Sequence, residues 1–460
     1  MFIGREEELR EINNMLDTER SEALLMYGRR RVGKSALIDR ALTGRKERTI
    51  RYVCLNTTYE ENFNRLSETV TESFGEGFLS FSNLGNLLEY IYKKAEKEKV
   101  ILFIDEYPYL RGNNAAIDSY FQEAIDHFSE GANLKLILCG SFMDVMRRIV
   151  EEEDAPLRGR FRSIIRLKPF DYYDASEFYP GYSDEDKVIA YSCFGGIPFY
   201  LTMIDTDVSV EENIRRLLLK SESILENEIR LTLQNELAKT ENANYVLSRI
   251  AEGVVKYSDL NTGLGKKSPN GIQHILNKLM QMDLVAKYAP INAERDAKKT
   301  KYCIADNLVD MYYTFCFFRQ SEREFLGPER FFESFVKEKL YSEFVPHKFE
   351  DIATQYLIRQ NRNGNTDKPF TKIGRFYYDD PVNKLNGEFD VVTLDADGWT
   401  DYECKYRSKP VNASMVEEEI THAEKLGLNF YRYGFISKSG FADDFDHSKY
   451  QLITLKDIYR

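Results

Sequence analysis

No apolar run in these 460 residues reaches the length of a membrane span, which argues against a membrane-crossing helix. There is no CxxC pair among the six scattered cysteines, Cys54, Cys139, Cys193, Cys303, Cys316 and Cys404. That spacing argues against a zinc ribbon and against a disulfide framework. The first residues, MFIGREEELR, turn acidic at once and carry no signal-peptide apolar region. The expected location is cytoplasmic, with no membrane partner. Positive charge is also lacking: the net charge is −12, so the surface as a whole is not built to attract nucleic acid, although a local basic patch still can be. What the chain does have is 43% hydrophobic and 30% charged residues, the balance of a soluble globular protein. Its length exceeds one hydrophobic core and predicts two to four domains.

The most informative stretch is ALLMYGRRRVGKSALIDRAL, residues 23–42. An apolar strand runs into GRRRVGKS, and a helical pattern follows. This is GxxxxGK[ST] with the strand and helix that the motif needs. Gly28 and Gly33 let the backbone curl so that its N–H groups face phosphate oxygens. The helix that follows offers its positive end to the same anion. Gly28, Arg29, Arg30, Arg31, Val32, Gly33, Lys34, Ser35 and Ala36 are therefore the candidate ATP-binding residues. Lys34 is expected on the β- and γ-phosphates and Ser35 on Mg2+.

The partner motif is VILFIDE, residues 100–106, an apolar strand ending in acid. Asp105 would hold Mg2+ through water, and Glu106 would orient the attacking water. A third apolar strand, LKLILCGS, ends at Ser141. Strands alternating with helical stretches predict a parallel α/β sheet with right-handed crossovers. Further on, APLRGRFRSIIRLKPF carries Arg158, Arg160 and Arg162. Arg160 is either an arginine that neutralises transition-state charge on a neighbour's ATP, which would imply a homo-oligomer, or part of a solvated basic loop. CFGGIPFYL, residues 193–201, places two glycines before Ile-Pro, where a sharp turn is expected.

In order and spacing, GREEEL, GRRRVGKSALI, ILFIDEYPYL, PLRGR and GGIPFYL resemble the archaeal-type ATPases of the AAA+/STAND branch of P-loop NTPases, over residues 1–210. The resemblance implies that Phe2, Ile3, Gly4 and Arg5 lie beside the nucleotide. It also implies that Ser141 senses the γ-phosphate and that the turn at Pro198 approaches the adenine.

Residues 211–240 read as a helical connector. From Tyr245 the pattern is helix, short helix, helix and a hairpin with a charged tip, which is the order of a winged helix. Ser268 and Pro269 suit a helix start. Over residues 261–302, seven lysines and one arginine face three acids, a balance of +5 in an acidic protein. Lys266, Lys267, Lys298, Lys299 and Lys301 are candidates for DNA phosphate contact. Otherwise the element packs as a lever or lid. YCIADNLVDMYYTFCFF, residues 302–318, is too aromatic for a solvated helix and is expected in a core.

In the last third, a helix with Glu350 near its start precedes the strand GEFDVVTLD with Asp390. The next strand, WTDYECKYR, carries Glu403 and Lys405, which share a face because strand side chains alternate. The pair is either a surface ion pair or part of a metal-dependent site, in which Asp390 and Glu403 hold Mg2+ or Mn2+, Glu350 supports them and Lys405 stabilises developing charge. Residues 310–460 resemble the domain of unknown function fused to archaeal-type ATPases and assigned to the PD-(D/E)xK nuclease group. In this chain Phe389-Asp390 replaces the usual Pro-Asp.

The expected architecture is α/β: a P-loop NTPase parallel sheet with helical lid over 1–210, a helical connector and winged helix over 211–315, and an α/β nuclease-like domain with a mixed sheet over 316–460. The expected function is an ATPase coupled to DNA binding and metal-dependent DNA cleavage. The alternative is a nucleotide-controlled switch or scaffold whose nuclease-like domain does not cut.

Overall fold

The computed structural model describes residues 2–77, 79–112, 114–237, 242–262, 271–380 and 385–460. The chain divides into two compact units, Met1–Pro169 and Phe170–Arg460.

The first unit is built on five parallel strands: β1 (Glu22–Tyr27), β2 (Arg48–Val53), β3 (Val100–Asp105), β4 (Leu134–Gly140) and β5 (Ser163–Arg166). Their order is β2-β3-β4-β1-β5. Every residue of β3 and β4 is buried, as expected of continuous apolar runs in a sheet covered on both faces. The alternation of side chains splits each strand between two cores. Ala23, Leu25, Leu102 and Ile104 pack with helices Leu84–Ala95 and Ala116–Phe128. Leu24, Met26, Ile101 and Phe103 pack with helices Glu6–Leu16 and Lys34–Leu42. β1 lies between β4 and β5, and the next strand, β2, is at the far edge, so the connections diverge at the carboxyl end of β1, where open α/β sheets bind ligands.

The second unit begins with helices around the Gly195-Gly196 turn. A Cβ on Gly196 would stand 1.9 Å from the Phe170 carbonyl oxygen, so only glycine fits there. The connector is made of helix Val210–Ile214, a π-helical turn Arg215–Leu219 and helix Ile224–Leu237. It is pinned by the buried Arg323–Glu226 pair at 2.6 Å, and Arg323 also donates to the carbonyls of Leu218, Leu219 and Lys220. Helices Ala243–Ala251, Tyr257–Thr262 and Gly271–Gln281 follow, then an antiparallel hairpin of β6 (Val285–Tyr288) and β7 (Lys301–Ile304). The aromatic stretch after it forms helix Asn307–Phe315, with Leu308, Met311, Tyr312, Tyr313 and Phe315 in the unit's main core.

The last sheet contains β8 (Lys372–Asp380), β9 (Leu385–Leu394), β10 (Trp399–Lys405), β11 (Arg432–Ser437) and β12 (Gln451–Thr454) in the order β12-β11-β10-β9-β8. β8, β9 and β10 are antiparallel neighbours, while β10, β11 and β12 run parallel, so the sheet is mixed. Helix Val345–Arg362 packs on β8, β9 and β10, and Phe349 and Ile352 are fully buried.

Candidate functional sites

In the first unit the loop after β1 turns through two left-handed residues, Arg31 (φ 66) and Gly33 (φ 97), into helix Lys34–Leu42. Such turns bring successive N–H groups toward one anion. The Lys34 ammonium is buried and donates to the carbonyls of Gly28 (2.9 Å) and Arg29 (3.0 Å) and to Ser141 Oγ (2.8 Å). Ser35 Oγ donates to Asp105 at 2.6 Å. Glu106 adopts a left-handed conformation (φ 51, ψ 44), strained for a non-glycine residue and common where function demands it. The turn carries its carboxylate to the Ser141 amide (3.1 Å) and hydroxyl. Lys34, Ser35, Asp105, Glu106 and Ser141 thus form one connected network from three strand ends. Ser35 and Asp105 fit Mg2+: they are two hard oxygen donors beside a phosphate loop. Arg5 also reaches the loop, donating to the carbonyls of Val32 (3.5 Å) and Lys168 (2.6 Å).

Arg160 is bound elsewhere. Its guanidinium grips Asp126 through Nε (2.9 Å) and Nη2 (2.7 Å), and Nη1 donates to the Pro156 carbonyl. Pro198 belongs to the second unit, at the first turn of helix Pro198–Leu201.

In the second unit the register of β9 and β10 pairs Tyr402 with Val391. One position past that pair, Glu403 comes near enough to Asp390 for its charge to add to burial in holding the Asp390 carboxyl up, and alternation puts Lys405 on the face of Glu403. Lys405 forms an ion pair with Glu403. Glu350, from helix Val345–Arg362, and Asp390 both line a cavity of about 610 Å³. Three groups that sequence reasoning missed complete the site. Arg375 of β8 bridges Glu350 (3.1 Å) and Asp390 (3.4 Å). His347 reaches Glu350 at 3.2 Å, a contact that raises its basicity. Glu419 comes from helix Ala413–Lys425; its spacing from buried Val416 and Ala423 was the available signal.

Burial dominates the electrostatics here. It pushes Asp390 up to about 7, with Glu350 adding to the rise and Arg375 opposing it. Burial and then Glu403 push Glu419 up to about 7. Asp401 rises well above its usual value through burial and then Glu419, and among the described residues neither of its carboxyl oxygens has a hydrogen-bond partner.

As arranged, this site does not fit a divalent cation. A guanidinium bridges Glu350 and Asp390, and an ammonium holds Glu403. Among the described residues no three His, Cys, Asp or Glu side chains stand together as a metal-holding group.

The candidate DNA-contacting lysines are partly engaged. Lys301 pairs with Glu388 (2.9 Å), and Lys299 lies 4.0 Å over the Tyr377 ring. Lys266, Lys267, Ser268 and Pro269 lie outside the described residues.

Residues 2–204 match the family model of an ATPase domain predominantly from Archaea, and residues 312–420 match that of archaeal and bacterial proteins of unknown function. With the phosphate loop and its acidic partner strand, the first match defines the class of the first part of the chain: residues 2–204 carry a P-loop ATPase domain. It is 28% identical over 380 residues to the uncharacterized protein MJECL04 of Methanocaldococcus jannaschii, covering 82% of each chain. It belongs to one family with a second protein of that organism, uncharacterized protein MJ0424, at 30% identity over 88 residues, 19% of this chain and 85% of that one. Among solved structures, the Walker-type ATPase PABY2304 of Pyrococcus abyssi shares the fold, with a TM-score of 0.51 at 21% identity over 68% of this chain and 96% of that one.

Proposed function

We propose that the chain hydrolyses ATP in its first unit to control a nucleic-acid-directed, PD-(D/E)xK-like site in its second, acting on DNA by binding and cleavage. In hydrolysis, Lys34 exchanges the carbonyls of Gly28 and Arg29 for the β- and γ-phosphates. Ser35 and Asp105 would hold Mg2+, which supplies charge neutralisation on the phosphate oxygens. Glu106 orients the attacking water, and Ser141, bonded to both Lys34 and Glu106, couples that carboxylate to the γ-phosphate. Under this reading residues 1–210, 211–315 and 316–460 act as ATPase, winged-helix and nuclease-like parts. A homo-oligomer would follow if Arg160 leaves Asp126 to act on a neighbour's ATP.

The observation that carries the nuclease-like reading is Glu403 beside Asp390 with Lys405 two residues on, and Glu350 from the covering helix. The test is cleavage of linear and plasmid DNA with Mg2+ or Mn2+, with and without ATP. Cleavage lost in Lys405→Ala, and ATP dependence lost in Lys34→Ala, is the expected result. No cleavage by the wild type under any condition sinks it.

A second reading, a nucleotide-controlled switch that does not cut, is favoured by Arg375 and Lys405 already neutralising the carboxylates. It predicts ATP-dependent association without cleavage.

A further inference from the structure

The β6–β7 hairpin does not stand free. Its connecting residues seat on the edge strand β8. The Ile291 amide donates to the Arg375 carbonyl (2.8 Å). Asn292 makes a two-way clasp with the Tyr377 backbone, accepting from its amide (2.9 Å) and donating to its carbonyl (2.8 Å). The seat is shaped for this contact. A Cβ on Gly374 would come within 2.9 Å of Ile291 Cγ2, and the β8–β9 register shifts between Gly374 and Phe376. Ile291 shares a core with Phe376, Phe389 and Phe430. Lys301–Glu388 and Lys372–Glu294 flank the clasp.

Arg375 joins this seat to the acidic site. Its carbonyl receives the hairpin, and its guanidinium lies 5.4 Å over the Tyr288 ring of β6 while bridging Glu350 and Asp390. Tyr288 and Ile291 line the cavity onto which both carboxylates face.

We propose that the β6–β7 hairpin is a latch: seated on β8, it holds Arg375 between Glu350 and Asp390, so that the carboxylates take a guanidinium in place of a divalent cation. The proposal rests on the reading of these carboxylates as a phosphodiester site. Releasing the hairpin removes the Tyr288 ring and the Ile291 bond that hold Arg375 in place. It also opens the cavity and frees Lys299 and Lys301. One movement thereby uncovers the carboxylates and exposes basic side chains.

The test is Mn2+ binding by the full, nucleotide-free chain, read from the electron paramagnetic resonance of free Mn2+. All proteins carry Asp105→Asn so that the phosphate loop contributes no site. Asn292→Ala with Lys301→Ala loosens the hairpin, and Arg375→Gln independently removes the guanidinium. Each is expected to bind one Mn2+ at least tenfold tighter than the parent, and to lose the gain on adding Asp390→Asn. Hydrogen exchange at the Ile291 and Tyr377 amides should accelerate in the hairpin variant. Equal Mn2+ binding by parent and both variants overturns the latch, as does free exchange of both amides in the parent. DNA cleavage by the parent without tighter binding in the variants overturns the latch and leaves the phosphodiester reading standing. Tighter binding with no cleavage by any variant upholds the latch and removes cleavage from the proposed function.

Discussion

Glu106→Gln separates the work of the second carboxylate from the architecture that holds it. Glu106 sits in a left-handed conformation and accepts hydrogen bonds from the Ser141 amide and hydroxyl. Glutamine keeps the size and one carbonyl acceptor for the amide at 3.1 Å. Its NH2 group can donate to Ser141 Oγ, which already accepts from Lys34. The network therefore survives with the loss of one charge-assisted bond, about 1 kcal/mol of stability. The chemistry fares worse, because an amide cannot take a proton from the attacking water. Positioned general bases contribute roughly 10²–10⁴-fold, or about 3–5 kcal/mol of barrier. Steady-state phosphate release should fall by that factor, while equilibrium binding of ATP stays within about threefold. Lys34→Ala, by contrast, should lose binding and turnover together. Turnover within tenfold of wild type in Glu106→Gln would refute the assignment, and loss of ATP binding in that variant would show that Glu106 supports the loop instead.

Three further outcomes test the structure. Arg323→Ala leaves Glu226 buried and unpaired with three carbonyls losing their donor, and should cost the second unit about 3–5 kcal/mol in urea unfolding. Gly196→Ala drives a Cβ into the Phe170 backbone and should cost about 1–3 kcal/mol, seen as a lowered thermal midpoint. Lys135, buried against Thr18 and the Arg20 carbonyl, is pushed down to about 8 by burial. Below its unfolded value near 10.5 the unfolded chain binds the proton more tightly, so its stabilising contribution is full above that value and is lost as pH falls through about 8. Lys135→Met should therefore gain stability relative to wild type at pH 7 compared with pH 10.5, by no more than about 3 kcal/mol.

The phosphate loop was legible because everything it needs lies within one strand, one loop and one helix of contiguous chain. Glycine spacing, the lysine and the hydroxyl are local facts, and the backbone propensities that arrange them are local too. The shared face of Glu403 and Lys405 was legible for the same reason, since strand side chains alternate whatever surrounds them. The aromatic stretch after Tyr302 was legible as core because nothing else could hide so many rings from water. The tertiary structure decided the partners of these residues. Sequence spacing gives no sign that Ser141 accepts from Lys34 and donates to Glu106, because three separate strand ends meet there only after the sheet orders itself β2-β3-β4-β1-β5. Nor does it show that Arg375 lies between Glu350 and Asp390, or that the hairpin lysines turn to Glu388 and Tyr377. Those contacts join residues 15 to 87 positions apart, and their strength depends on burial that only the packed sheet and helix provide.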